Sequence, residues 1–159
     1  MKVSIVTVTF NSSNTIRTTL ESVANQSWDN IEHIIIDGSS SDNTLSIAKE
    51  FKHITKIISE QDKGIYDAMN KGIQNASGDI IGFLNSDDWF ANNLVVDEIA
   101  RNFHETNIDA VYGDLEFVKN EDDNYPKRIW ISEDYRDNSF SRGWVPPHPT
   151  FYAKLNLYK

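Results

Sequence analysis

The chain has 159 residues, no cysteine and a formal net charge of −9, from 24 acidic against 15 basic side chains. That length suits one folding unit, able to bury roughly two-thirds of its unfolded surface. The composition excludes disulfides, thiol nucleophiles and thiolate zinc sites, and the charge argues against general nucleic-acid binding, which needs clustered Lys and Arg. No run is long enough to cross a bilayer, and Met1-Lys2-Val3 opens no signal-peptide pattern. A cytoplasmic location follows as the expectation, with at most peripheral contact at the inner face of a membrane. An acidic chain that takes a phosphate-bearing substrate needs a bridging cation.

The elements read in order. Lys2 to Phe10 is rich in β-branched residues and predicts a strand. Asn11-Ser12-Ser13-Asn14 are all helix-capping types, and Ile16, Leu20 and Val23 follow at helical spacing. Ile31 to Asp37 predicts a second strand, ending in Gly38-Ser39-Ser40-Ser41-Asp42, after which Leu45, Ala48 and Phe51 make an apolar stripe. Ile54 to Ser59 is a short third strand, and Ile65, Ala68, Met69, Gly72 and Ile73 form an amphipathic helix. Ile80 to Leu84 is a fourth strand, Leu94 to Phe103 a helix and Ala110 to Lys119 a further strand. Glu121 to Asn124 reads as a solvated hairpin tip, with Lys127 to Ile131 as its return strand.

Strand and helix alternate through the first hundred residues. The fold class this implies is α/β, a mostly parallel, Rossmann-like central sheet with helices on both faces. Such sheets bind ligands beyond the carboxyl ends of their strands. Thr9, Phe10 and Asn11 end the first strand, Asp37 the second, and Asp62, Lys63 and Gly64 follow the third. Asn85-Ser86-Asp87-Asp88 end the fourth. All four groups fall on one edge.

Asp87 and Asp88 are hard oxygen ligands suited to Mg²⁺ or Mn²⁺, and an ion held there could grip a diphosphate. The plainer alternative makes them turn residues, one capping the next helix. Asp37 is placed to accept hydrogen bonds from a ribose or base. Phe10 either stacks on a base or packs in the core. Lys63 either neutralises phosphate or is solvated. The first strand leads into neither G-x-G-x-x-G, which argues against a Rossmann dehydrogenase, nor G-x-x-x-x-G-K-[ST], which excludes a P-loop enzyme. Asn11 to Thr15 also lacks the Gly, Arg and Lys of a nucleotidyltransferase loop.

Four segments together carry a resemblance: Val3 to Asn11, Asp37 to Thr44, Asp62 to Gly72, and Asn85-Ser86-Asp87-Asp88. In that order they resemble the successive motifs of family 2 glycosyltransferases with the GT-A fold, over roughly residues 3 to 119 and more weakly to Tyr152. The resemblance implies an inverting enzyme of the bacterial surface-polysaccharide type. Its donor would be a nucleotide-diphospho-sugar, with UDP as the expected carrier. Its acceptor would be a glycan or lipid-linked glycan, and its cofactor Mn²⁺ or Mg²⁺.

Carried over by position, Thr9 and Phe10 line the nucleoside pocket, Asp37 contacts base or ribose, and Lys63 lies in the loop over the nucleotide. Asn85, Ser86 and Asp87 fall in the acidic motif on the donor, with Asp87 and Asp88 on the metal. Two departures stand out: Asn85 and Gly38 each occupy a place where many members have Asp. His148, held between Pro147 and Pro149, falls in a His-Pro segment that borders the active site in similar sequences. It is expected on the acceptor or diphosphate side, against the alternative of a structural loop histidine. An inverting transfer needs a base on the acceptor face. Asp87 and Asp88 sit on the leaving-group side, and similar sequences carry that base some tens of residues after the His-Pro segment. The expectation is therefore that residues 1–159 are a nucleotide-sugar-binding domain lacking its C-terminal part, with the base beyond Lys159. A non-catalytic nucleotide-sugar-binding module of the same fold is the alternative.

Overall fold

The computed structural model describes residues 1–119 and 126–159. Strands β1 (Val3–Thr9), β2 (Ile31–Asp37), β3 (Ile54–Ser59) and β4 (Ile80–Phe83) alternate with helices α1 (Ile16–Ala24), α2 (Thr44–Ala48) and α3 (Ile65–Asn75). Helix α4 (Val95–Glu105) follows, then β5 (Ala110–Val111), β6 (Leu115–Phe117), β7 (Arg128–Trp130) and β8 (Tyr152–Lys154). The main sheet has the order β3-β2-β1-β4-β8-β5, and β6 and β7 form a separate ribbon. β1 to β4 are mutually parallel and β8 runs antiparallel to both its neighbours, so β5 points the same way as β4.

β1 has no exposed residue. Its side chains alternate between two apolar layers because successive residues of a strand face opposite ways. Val6 and Val8 join Ile34, Ile36, Ile81 and Phe83 beneath Ala68 and Met69 of α3. Val3 and Ile5 join Ile80, Leu84 and Tyr152 against Val23 of α1 and Val96, Ala100 and Phe103 of α4. Ile16 and Leu20 of α1 close on Ile35 and Ala48. A sheet covered on both faces is where uninterrupted β-branched runs such as Ile34-Ile35-Ile36 belong. Each such side chain contributes roughly 1.5–3 kcal/mol on burial.

Three expectations need correction. The expected strand from Ala110 to Lys119 is two strands in different sheets. The chain leaves the main sheet at Gly113, whose amide and carbonyl both bind the Thr150 hydroxyl, while Asp114 Oδ1 accepts the Ser132 amide. Backbone tied to side chains in this way does not continue a ladder. Asn11 to Asn14 do not cap α1 through their side chains; the Ser12 carbonyl accepts the Thr15 and Ile16 amides instead. Lastly, β8 was not foreseen as a strand. Its insertion beside β4 requires Gly82, because a Cβ there would fall inside the Tyr152 ring. The return strand expected near Lys127 to Ile131 is present as β7, paired with β6, whereas the hairpin tip at Glu121 to Asn124 lies outside the described residues.

Two buried polar groups sit in β2. Burial would push the Glu32 carboxyl up. The Lys2 ammonium at 2.7 Å, the Ser4 and Ser77 hydroxyls and the Ser77 amide overcome this and hold it at about 2. His33 is fully buried, with Nε2 3.0 Å from the Thr7 hydroxyl and Nδ1 3.0 Å from Nε2 of His53. Burial, and then the neighbouring His53, push the His33 imidazole down to about 3.

Two outcomes are expected. The unfolded chain binds a proton at position 33 below about pH 6.5, whereas the folded chain refuses it down to about pH 3. Stability contributed by neutral His33 is therefore complete above pH 6.5 and lost as pH falls through that window. Urea unfolding at pH 7.5 and pH 5.5 should show the native chain losing about 1 kcal/mol more than His33→Gln. Equal losses would mean that another group governs. Gly82→Ala should lower stability by about 1–3 kcal/mol through overpacking against Tyr152, read as a shift in the thermal midpoint.

Candidate functional site

The four parallel strands end on one edge, and the order β3-β2-β1-β4 reverses its direction of build between β1 and β4. A crevice opens at such a switch point, at the carboxyl ends of the strands. One wall is Thr9 to Ser12, at the end of β1, and the other is Asn85 to Asp88 after β4. The Ser86 hydroxyl donates to the Ser12 hydroxyl at 2.8 Å and so joins the two walls at their base.

The β1 and β2 loops are fastened to each other before any ligand arrives. Asn11 adopts a left-handed conformation (φ 50°), its amide donates to Ser40 Oγ, and its Oδ1 accepts the Ser41 amide. The Ser12 amide donates to the Thr44 hydroxyl, and the Ser13 amide to Asp42 Oδ2. The Thr44 hydroxyl, with the Thr44 and Ser13 amides, holds the Asp42 carboxyl well below the usual carboxylate range.

Thr9 and Asp37 stand opposite each other in the β1–β2 register. Asp37 Oδ2 accepts the Ser59 hydroxyl at 2.6 Å and the Ser40 amide at 3.0 Å. Asp37 Oδ1 and Thr9 Oγ1 are buried and have no partner. Across the crevice, Asn85 Nδ2 donates to Asp88 Oδ2 at 2.9 Å, while Asn85 Oδ1 is likewise buried and unpartnered. Among the described residues five buried side-chain polar atoms lack a partner, the other two being Trp28 Nε1 and the Tyr152 hydroxyl. Three of the five therefore fall on one short stretch of one edge. An unmade buried hydrogen bond costs about 1–3 kcal/mol, so such groups call for an explanation.

Phe10 is 63 % exposed, which rules out core packing for it. Gly38 explains part of its setting. A Cβ at Gly38 would stand 2.6 Å from Asp62 Oδ2 and 3.4 Å from the Phe10 ring. The bare glycine thus lets Asp62, arriving from the loop after β3, lie beside Phe10. A second carboxylate does reach this end of the crevice, but from position 62 and not from position 38. The sequence placed Asp62 on the edge; only the glycine's missing side chain shows where it leans. Asp62 Oδ1 also accepts the Gly64 amide, and Gly64 opens α3 at φ 113°. Lys63 is exposed on that loop, its amide donating to Asp67 Oδ2.

Asp87 is exposed and Asp88 half-buried. Burial raises the Asp88 carboxyl, the Asn85 amide opposes this, and the charge on Asp87 adds to the rise. Among the described residues no three His, Asp or Glu side chains are grouped to hold a metal. Two adjacent carboxylates suit Mg²⁺ or Mn²⁺, which commonly take one or two protein carboxylates and complete their shell with water and substrate phosphate.

His148 belongs to the turn that leads into β8, at the end of β4 from which these carboxylates follow. It is exposed at the head of a 3₁₀ turn, His148–Thr150, and lines a hollow of about 310 Å³ with Tyr66, Met69, Phe83 and Phe151. That turn is fastened to the end of β5 through Thr150 and Gly113. A larger hollow of about 700 Å³ opens at the opposite edge, beside Met1, Asp79, His104 and Lys154. It contains none of the unpartnered atoms, so the carboxyl edge remains the candidate site.

The sequence pattern of the family described as Glycosyl transferase family 2 matches residues 4–158. The chain is 37 % identical over 121 residues to the Escherichia coli UDP-Glc:alpha-D-GlcNAc-diphosphoundecaprenol beta-1,3-glucosyltransferase WfgD, a match covering 74 % of this chain and 47 % of that protein. It spans less than half the length of the curated relatives it matches. Among solved structures, S. aureus TarS 1-349 in complex with UDP-GlcNAc superposes with a TM-score of 0.80 at 23 % identity, over 99 % of this chain and 46 % of that one. Glucosyl-3-phosphoglycerate synthase from Mycobacterium tuberculosis, in complex with Mn²⁺, UDP and glucosyl-3-phosphoglycerate, superposes with a TM-score of 0.69 at 19 % identity, over 98 % and 57 %. At these identities the likeness speaks for the fold, which is the GT-A fold of glycosyltransferases. The family pattern runs across all four strand ends that line the crevice, and the chain belongs to glycosyl transferase family 2.

Proposed function

We propose that the chain carries the donor site of an inverting, metal-dependent glycosyltransferase that moves a hexosyl or N-acetylhexosaminyl group from a UDP-sugar to a hydroxyl of a surface glycan. The acceptor on this reading is a glycan or lipid-linked glycan. The observation that carries the proposal is the row of buried, unpartnered oxygens of Thr9, Asp37 and Asn85 along one switch-point crevice. All three can accept a hydrogen bond, and the Thr9 hydroxyl can also donate one. A nucleoside offers both N–H and O–H donors. The names of the WfgD and TarS matches support UDP as the carrier, and the Mn²⁺ complex of the mycobacterial synthase supports a divalent ion. No helix among the described residues is long and apolar enough to cross a membrane. A cytoplasmic protein working at the inner membrane face, next to lipid-linked acceptors, fits that reading.

In this arrangement Phe10 stacks on the base, and Thr9 with Asp37 reads its edge or the ribose. Asn85 and Ser86 fix the ribose end, and Lys63 covers the phosphates. Asp87 and Asp88 would hold Mn²⁺ or Mg²⁺, which when bound neutralises charge on the leaving diphosphate. His148 stands on the acceptor or diphosphate side. Asp87 and Asp88 lie with the diphosphate, so neither takes the proton of the attacking hydroxyl. That base is to be sought on the opposite face.

Calorimetry of UDP with Mn²⁺ should give saturable binding that EDTA abolishes, and a hundredfold excess of UDP over its Kd should stabilise the fold by about 2.7 kcal/mol. Asp87→Ala and Asp88→Ala should each lose most of the metal-dependent affinity without lowering the thermal midpoint of the free chain. Equal affinity with and without chelator would sink the metal bridge.

Phe10→Ala should leave the fold intact, because the ring is largely exposed, and weaken UDP binding by roughly 1–3 kcal/mol. Asp37→Ala should weaken uridine and UDP alike by ~1.5–3 kcal/mol. Unchanged uridine affinity in both variants would place the base elsewhere. UDP binding without sugar transfer, both by this chain and by any longer chain that contains it, would favour the non-catalytic module.

A further inference from the structure

The loop between β3 and α3 is dense in acid. Glu60, Asp62 and Asp67 follow closely on one another, and Asp37 ends the neighbouring strand. The Glu60 amide donates to the Asp37 carbonyl at 3.0 Å, so the loop starts level with the end of β2. Asp62 then leans over Gly38 to lie beside Phe10. Like charges this close repel, and in a chain of net charge −9 the wider field does not offset them.

One ammonium gathers the loop. Lys71 lies in the second turn of α3, its side chain 19 % exposed. Its Nζ donates to the Gln61 carbonyl at 2.8 Å and stands 3.0 Å from Glu60 Oε1 and 3.7 Å from Asp67 Oδ2. Asp67 is one helical turn earlier, the acid-before-base order that an (i, i+4) pair favours. The hydrogen bond to Glu60 pushes the Lys71 ammonium above its usual range, burial opposes this, and the charges of Glu60, Asp67 and Asp62 add to the rise. All three acids of the loop thus act on one cation.

The contacts pass on from there. Asp67 Oδ2 accepts the Lys63 amide at 3.0 Å. Lys71 therefore holds the backbone on both sides of Asp62, at Gln61 directly and at Lys63 through Asp67. Asp62 Oδ1 accepts the Gly64 amide at 2.8 Å, while its Oδ2 is the atom that faces the Gly38 and Phe10 corner. Beside Gly64 the space is open, so no packing there duplicates these ties. We propose that Lys71 is a positioning residue of the donor crevice, which holds the 60–64 loop closed and keeps Asp62 at the nucleoside end beside Phe10. Its ammonium is taken up by Gln61, Glu60 and Asp67, so it acts through the loop and not on the donor's phosphates. The proposal rests on the donor reading of the crevice.

The test compares Lys71→Met, which keeps the apolar stem and the helix propensity but removes the charge, with Lys71→Arg, which keeps the charge. Hydrogen exchange of the Lys63 and Gly64 amides reads the loop with no ligand present. Calorimetry of UDP with MnCl₂ reads the crevice. In Lys71→Met both amides should exchange at least tenfold faster and UDP should bind at least tenfold more weakly. Amides of β1 and β2 should stay as protected as in the native chain, and the affinity for inorganic pyrophosphate with MnCl₂ should not change. Lys71→Arg should restore both the protection and the UDP affinity. Unchanged exchange in Lys71→Met would overturn the proposal. So would faster exchange with full UDP affinity, since the loop would then open at no cost to the donor. A matching loss of pyrophosphate would place Lys71 on the phosphates, and faster exchange throughout β1 and β2 would make its role one of general stability; either result overturns the proposal. Faster exchange at Lys63 and Gly64 in a protein whose native form takes no UDP would keep Lys71 as the fastening of the loop and remove the donor reading, and with it the positioning role.

Discussion

Everything in this molecule hangs on β1 being paired on both sides and covered on both faces. Seven consecutive residues, Val3 to Thr9, are buried, with parallel partners in β2 and β4. Parallel neighbours need crossovers, and the crossovers supply α1 and α3 to opposite faces. Because the chain builds β2 and β3 to one side of β1 before returning to lay β4 on the other, the two loops leaving β1 and β4 diverge. The crevice is what that divergence leaves behind. Its polar residues need not be recruited from afar: they are the last residues of adjacent strands or lie just past their ends.

That dependence also explains why so much could be read from the chain itself. β2 and β3 have the bounds their β-branched runs suggest, and β1, α1, α3 and α4 differ from expectation by a residue or two. Their periodicity reflects burial, and burial here is set by the sheet. The carboxyl-edge residues were legible for the same reason, since strand ends carry them. What escaped was structure fixed by contacts distant in sequence. The split between β5 and β6 depends on Thr150 gripping Gly113, thirty-seven residues away. β8 is three residues long, too short for a period to register, and is defined by its place between β4 and β5. Asp62 beside Gly38 and the Ser12–Ser86 contact belong to the same class.

The buried polar groups of β2 divide into two kinds. Glu32 and His33 are satisfied by neighbours within the fold, the one charged and gripped by four donors, the other neutral and joined to Thr7 and His53. Asp37, four residues on in the same strand, is only half satisfied. A buried oxygen left without a donor is a local cost that the rest of the sheet carries. In β2 that cost is confined to the end that meets the crevice, while the other end is fully bonded.

β8 has a consequence for how the chain comes to fold during synthesis. Tyr152 to Lys154 must slide between β4 and β5, both made much earlier. Until then the outer edge of β4 presents unpaired amides and carbonyls, and the bare backbone of Gly82 has no ring above it. A nascent chain emerging from the ribosome can assemble β1 to β4 with their helices, yet it holds an open strand edge while the next seventy residues are added. Exposed edges are templates for pairing with other chains, and slow, non-local pairings lengthen that exposure. The Tyr152 ring settling over Gly82 is therefore the step that covers the open edge of β4.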